Sequence, residues 1–274
     1  MSSNNVQAEI HPTAIIDPDA HLASNVKIGP FCCIGAGVTI GSGTRIESHV
    51  VIKQDTVIGV NNHIYSGAVL GEDCQHRDYR QQPARLVIGD HNIIREFCTI
   101  HRGSMSNIAS TEDNTKAAQT TRIGSHNFIM LGSHIAHDCV VGDYVTMANH
   151  SALAGHVVIG DYVNLAGYTL VHQFCHIGSY ATTGINTIVT QDIPAFIKVA
   201  GNPSRVYVLN SVGMKRHGFD QTAITRLKAA YRKVYRQGLA LNEALEALQT
   251  EAEEDQAIAC FTASIRASQR GIIR

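Results

Sequence analysis

Val26-Lys27-Ile28-Gly29-Pro30-Phe31-Cys32-Cys33-Ile34-Gly35-Ala36-Gly37-Val38-Thr39-Ile40-Gly41 sets an isoleucine at every sixth position and a glycine after each one. Toward the N-terminus the frame continues through Leu22 and Ile16 to Ile10. Toward the C-terminus it runs through Ile46, Ile52, Ile58, Ile64 and Leu70, then Ile88, Ile94 and Ile100. A shifted frame resumes at Ile123 and passes Ile129, Ile135, Val141, Met147, Leu153, Ile159, Leu165, Val171, Ile177 and Thr183 to Val189. Thr183 alone in the series is neither Ile, Leu, Val nor Met, a regularity that a 44% hydrophobic composition does not produce by chance.

A period of six is not a multiple of 3.6, so the pattern is not helical. It fits one short flat strand and one turn, three such units closing a triangular coil of eighteen residues whose aliphatic side chains stack in interior columns. Glycine after the aliphatic slot permits positive φ and close backbone approach, both of use at a repeated corner. The expected fold is therefore mainly β, a parallel β-helix; periodicity alone does not fix its hand, and the general crossover rule favours the right.

Two polar segments leave the frame, near 72–85 and 103–120, and long excursions from a regular scaffold are usually functional or mobile. The hexads stop after Gln191-Asp192-Ile193-Pro194. The expected division is a β-helix over residues 1–193 and a small α-helical domain over 194–274. Asp220 can cap a helix with the apolar stripe Ile224, Leu227, Tyr231, Val234 and Tyr235, closed by Gly238. Asn242 can cap a second helix, and a third is expected from about Asp255 to Gln269.

With 22 basic and 23 acidic residues among 274, bulk charge favours neither nucleic acid nor a membrane surface. No stretch approaches a membrane span, and the N-terminus lacks a cationic segment followed by an apolar run. Seven cysteines, an odd number without Cys-x-x-Cys spacing, argue against a disulfide framework and for a reducing cytoplasm.

Ile135, Leu153 and Val171 lie eighteen residues apart, and each has a histidine within three positions: His134 and His137, His156, and His172. On neighbouring rungs these would line one edge at about 4.7–4.9 Å per rung. His63, His91, His126 and His176 read as structural surface residues.

Several stretches carry a resemblance: His11-Pro12-Thr13-Ala14-Ile15, Thr99-Ile100-His101-Arg102-Gly103, His134-Ile135-Ala136-His137-Asp138-Cys139, Leu153-Ala154-Gly155-His156, Val171-His172-Gln173-Phe174, Lys215-Arg216-His217-Gly218-Phe219 and Arg270-Gly271-Ile272-Ile273-Arg274. Together they resemble, over nearly the whole chain, the UDP-N-acetylglucosamine 3-O-acyltransferases of lipid A biosynthesis, within the hexapeptide acyltransferases. The resemblance implies a left-handed coil, a homotrimer and transfer of a 3-hydroxyacyl group from acyl carrier protein to a sugar nucleotide. It implies no cofactor beyond the phosphopantetheine of that carrier.

By the same resemblance His137 is the general base, Asp138 orients it, and the Gly155 amide is the oxyanion donor. Adjacent residues on a flat strand face opposite ways, so the Asp138 role requires a corner. Gln75, His76, Asp78, His134, His156, His172 and Gln173 match the substrate groove, and Asn210 and Arg216 match nucleotide contacts. Ile185, 48 residues beyond His137 and thus about 13 Å along the axis, matches a residue that limits acyl length. The chain departs from the pattern at Gln75-His76-Arg77-Asp78, Val212 and His217, so either a 3-hydroxyl or a 3-amino sugar nucleotide fits as acceptor. Other readings are a zinc-dependent, carbonic-anhydrase-like enzyme using His134, His137 and His156, and a paralogue with another acceptor or without catalysis.

Overall fold

The computed structural model describes residues 8–80, 83–104 and 120–274. Among these residues three sheets of eleven, nine and eight strands, parallel except for the last strand of the first, form the faces of a prism, and successive strands of the chain go to successive sheets. Register follows the aliphatic slots: Ile28 pairs with Ile46, Ile34 with Ile52, and Ile40 with Ile58, each one coil on. The excursions leave the columns intact, since Leu70 pairs with Ile100 across the first and Ile100 with Ile135 across the second. Residues 105–119 of the second excursion, and 81–82 of the first, lie outside the described residues.

Most strands are two residues long, one side chain outward and one inward, so a single strand could not persist alone. Ile40, Ile64, Leu70, Ile94, Ile100, Ile129 and Ile135 are 0% exposed. Burying each such side chain contributes about 1.5–3 kcal/mol, and each coil supplies the cover for the next.

The corners divide two roles that the sequence reading gave to glycine together. Close approach is used: a Cβ on Gly41 would meet the Gly59 carbonyl carbon at 2.6 Å. Positive φ instead falls at the third residue after the slot, as at Phe31, His49, Asp138, Tyr144, His156, Tyr162 and Tyr180. Rings at one such corner stack in a ladder, His91, His126, Tyr144, Tyr162, Tyr180 and Phe196, with centroids 4.7–5.0 Å apart. The regular stacking offsets the unfavourable backbone conformation of bulky residues, and it gives His91 and His126 the structural role expected of them.

The first sheet ends with Ile197–Ala200 and the antiparallel Arg205–Leu209. Five helices follow: α1 (Ser211–Arg216), α2 (Gln221–Tyr235), α3 (Leu241–Glu246), α4 (Gln249–Glu254) and α5 (Gln256–Arg266). Asp220 caps α2 by accepting from Ala223 N at 2.7 Å, and Ile224, Leu227, Tyr231 and Val234 are its buried stripe. Asp255 caps α5. Asn242 is not a cap: the N-cap of α3 is Ala240, whose N–H donates to the Glu243 carboxylate at 2.9 Å, so an acid three residues in satisfies the free donor. α1 and α4, each of six residues, are too short to leave a periodic signal.

Asp192 ties the C-terminal tail to the last coils. Its buried carboxylate accepts from His176 N, the Ser268 hydroxyl, and the amides of Gln269 and Arg270. Five of the seven cysteines are buried and all are free, and burial pushes the Cys139 thiol up to about 12 and Cys98 to about 11. They are core residues.

Candidate active site

His137 and Asp138 follow the strand His134–Ile135, at the corner between the second and third sheets. Asp138 has φ 58°, and this reversal turns its carboxylate toward the preceding side chain. His137 Nδ1 and Asp138 Oδ2 are 2.8 Å apart, with both side chains largely buried. The corner that the sequence reading required is present. Asp138 is itself held: its Oδ1 accepts from Ser104 N at 2.9 Å, its Oδ2 from the Ser104 hydroxyl at 2.6 Å, and its N–H donates to Thr121 Oγ1.

One rung on, Ala136 N donates to Leu153 O and His156 N to His137 O, so Gly155 lies directly beside His137. A Cβ on Gly155 would meet His137 Cε1 at 2.6 Å and Nε2 at 2.7 Å. Gly155 does not have positive φ; the glycine is there for the imidazole. Its N–H donates to no acceptor among the described residues.

Four further histidines surround the pair. His156 lies edge-on to His137 with centroids 5.1 Å apart, its Nε2 is 3.7 Å from Asp138, and its other neighbour is the stacked Phe174 ring. His76 is edge-on at 6.2 Å. His134 bonds Thr99 Oγ1 through Nδ1 at 2.7 Å and faces the buried His101.

The environments drive these imidazoles apart. Burial, with the neighbouring His101 and His137, pushes His134 down to about 4. Burial lowers His101 and His156 as well. For His137 burial also acts to lower the pKa, but the bond to Asp138 and the adjacent Cys74 sulfur outweigh it and raise it to about 9. The result is one raised imidazole, His137, beside three lowered ones, His101, His134 and His156.

His172 and Gln173 stand on the next rung, exposed, with His172 Nδ1 on the Gln173 carbonyl. Gln75 and Asp78 are exposed on the first excursion, beside His76. Other predicted residues are not brought to His137 within the chain. Asn210 accepts from Gly213 N at 3.0 Å as the α1 cap and donates to the Tyr180 carbonyl. Arg216 is exposed at the end of α1. Ile185, 74% exposed, sits on the corner between the first and second sheets rather than that of His137. Its distance in coils includes two-thirds of a turn, and that fraction carries it to another edge of the prism.

The three-imidazole set His134, His137 and His156 is not brought together. Among the described residues the ligand atoms within 4.8 Å of one another belong to His137, Asp138 and His156. Sequence reading missed Cys74, Ser104 and Thr121 as neighbours of the pair. Ser104 directly follows the quoted Thr99–Gly103 match, and no signal marked Cys74 or Thr121.

A coil of hexads with a buried His-Asp pair at one corner defines the class of hexapeptide-repeat transferases, and residues 7–42 and 19–54 match the bacterial transferase hexapeptide family. Residues 192–273 match the family described as UDP N-acetylglucosamine O-acyltransferase, domain 2. The chain is 49% identical to the acyl-[acyl-carrier-protein]--UDP-N-acetylglucosamine O-acyltransferase of Saccharophagus degradans, covering 97% of this chain and 99% of that one. For the enzyme of the same name in Stutzerimonas stutzeri the identity is 48% with the same coverage. The crystal structure of UDP-N-acetylglucosamine O-acyltransferase from Moraxella catarrhalis superposes with a TM-score of 0.91 at 43% identity, over 97% of this chain and 99% of that one. The chain therefore belongs to the UDP-N-acetylglucosamine O-acyltransferase family, and its coil is the left-handed parallel β-helix.

Proposed function

We propose that the protein transfers a 3-hydroxyacyl group from acyl carrier protein to the 3-position of UDP-N-acetylglucosamine or its 3-amino analogue, the first step of lipid A biosynthesis. Family membership supports this reaction and gives no support to the carbonic-anhydrase reading. The observation that carries the chemistry is the His137–Asp138 pair set against Gly155.

Nδ1 is occupied by Asp138, which leaves Nε2 as the working nitrogen. Nε2 removes the proton as the acceptor oxygen or nitrogen attacks the thioester carbonyl. The oxyanion that forms is met by the uncommitted Gly155 N–H. Collapse expels the phosphopantetheine thiolate, and the imidazolium returns the proton to sulfur. Asp138 holds the tautomer and stabilises the imidazolium. No cofactor beyond the carrier's own prosthetic group enters.

His76 stands beside the base, in the stretch where the chain departs from the family pattern, so the acceptor's 3-substituent is the open choice. Transfer to the 3-hydroxy and 3-amino sugar nucleotides, assayed side by side with purified enzyme and 3-hydroxyacyl carrier protein, decides it. Transfer to neither would overturn the proposed reaction.

The working form is a cytoplasmic homotrimer with the reaction grooves between copies. Exposed Ile15, Leu170 and Ile185 on the outer surface support association. Grooves between copies would also allow Ile185, Asn210 and Arg216 to reach a His137 that they do not approach in their own chain. Among the described residues, no helix is long and apolar enough to cross a membrane.

A further inference from the structure

Arg102 is a buried cation, 5% exposed, and its partners lie mainly on the first excursion rather than on the coil. Its guanidinium donates to the Asp73 carboxylate, to the Gly71 carbonyl at 3.4 Å and to the Tyr79 hydroxyl at 3.4 Å. Gln54, two rungs earlier, offers its amide oxygen at 3.0 Å in the orientation that satisfies both groups. The backbone adds to the link, because Arg102 N donates to Glu72 O. A buried guanidinium is costly unless paired and hydrogen-bonded, and here the pairing joins both ends of one short loop to the coil. That loop carries the buried Cys74 and, two residues on, His76, whose N–H donates to Cys74 Sγ at 3.3 Å. Both face the His137 ring.

We propose that Arg102 is a positioning residue: through Asp73 and Tyr79 it clamps residues 71–79 over the acceptor side of His137. This rests on the acyltransfer reading for its kinetic consequence, but the clamp itself is testable without it. A loop released by about an ångström would misplace the acceptor at the base and leave the donor's groove unaltered.

The test uses the full-length protein with Arg102→Gln, and with Asp73→Asn, which removes the clamp's charge from the half-exposed side and guards against a folding failure of the first variant. Two quantities are measured. One is the rate of Cys74 alkylation by iodoacetamide, located by peptide mass. The other is the pair of KM values for acceptor and carrier protein. Both variants are expected to alkylate Cys74 at least about tenfold faster, and to lose about 10- to 100-fold in kcat/KM for the acceptor. The KM for the carrier should stay within about twofold of the parent's. Unchanged alkylation in Asp73→Asn, or a KM for the carrier that rises as much as that for the acceptor, would overturn the clamp. If the parent transfers no acyl group, the reaction proposed above fails instead, and the alkylation rates still decide whether the loop is clamped.

Discussion

The Nε2 atom of His137 lies over the bare Cα of Gly155, and a single added methyl carbon would come within 2.7 Å of it. Backbone conformation does not call for glycine at 155; the neighbouring imidazole does. The base and the amide placed to receive the oxyanion are thus two parts of one contact, made by side-by-side rungs of the second sheet.

Gly155→Ala is therefore expected to displace the His137 ring while the coil remains formed. We predict a loss of kcat of about 10²-fold or more with a thermal midpoint within a few degrees of the parent's. Steady-state rates and calorimetry on the same preparation check it, and a near-normal kcat would remove Gly155 from the site.

The pH profile follows from the raised pKa of His137, about 9. The neutral, proton-accepting form grows as pH rises through that value, so kcat/KM should climb with pH between 7 and 9. The sign for stability is opposite. A pKa raised on folding contributes stability that is fully present below about pH 6.5, the ordinary histidine value, and is lost as pH rises through about 9. Asp138→Asn should move the rising limb toward lower pH and lower the maximum, since the asparagine no longer holds the imidazolium. An unmoved limb would show that another group titrates.

Much of the fold was legible because the hexad is both the local and the global unit. Ile34, Ile52 and Leu70 could be assigned to one column from their numbers alone, and the ladder pairs them so. Corner chemistry was less legible: the glycines marked close approach, while bulky Tyr144 and Tyr162 took the left-handed conformation through a stacking that only three dimensions display. At the site, His137, Asp138 and Gly155 could be read as neighbours because eighteen residues separate His137 from Gly155. Cys74 and Arg102 could not, because the excursion breaks the count, and the axial distance to Ile185 does not say on which edge of the prism it lies.

Ile135 tests the column. It is fully buried, between Ile100 on one rung and Leu153 on the next. Ile135→Ala should cost about 2–5 kcal/mol, read as a lower denaturation midpoint. A cost below about 1 kcal/mol would mean that the column collapses to fill the space.

Ile185 tests the groove between copies. If a neighbouring copy brings it to the acyl chain, Ile185→Gly shifts preference toward longer 3-hydroxyacyl carriers by about 10- to 200-fold, because a β-branched side chain has few rotamers with which to move aside. A length series in parent and variant reads this directly, and sedimentation of the parent as a monomer at assay concentration would contradict the arrangement.

The most direct measurement on the central claim is single-turnover acyl transfer by His137→Ala beside the parent, with sedimentation and melting of both. The account predicts loss of transfer by at least about 10²-fold, an unchanged assembly and a lower melting midpoint at neutral pH, since the variant loses the stability carried by the raised His137 pKa and leaves the buried Asp138 without its partner. A variant that keeps most of its transfer rate would contradict it.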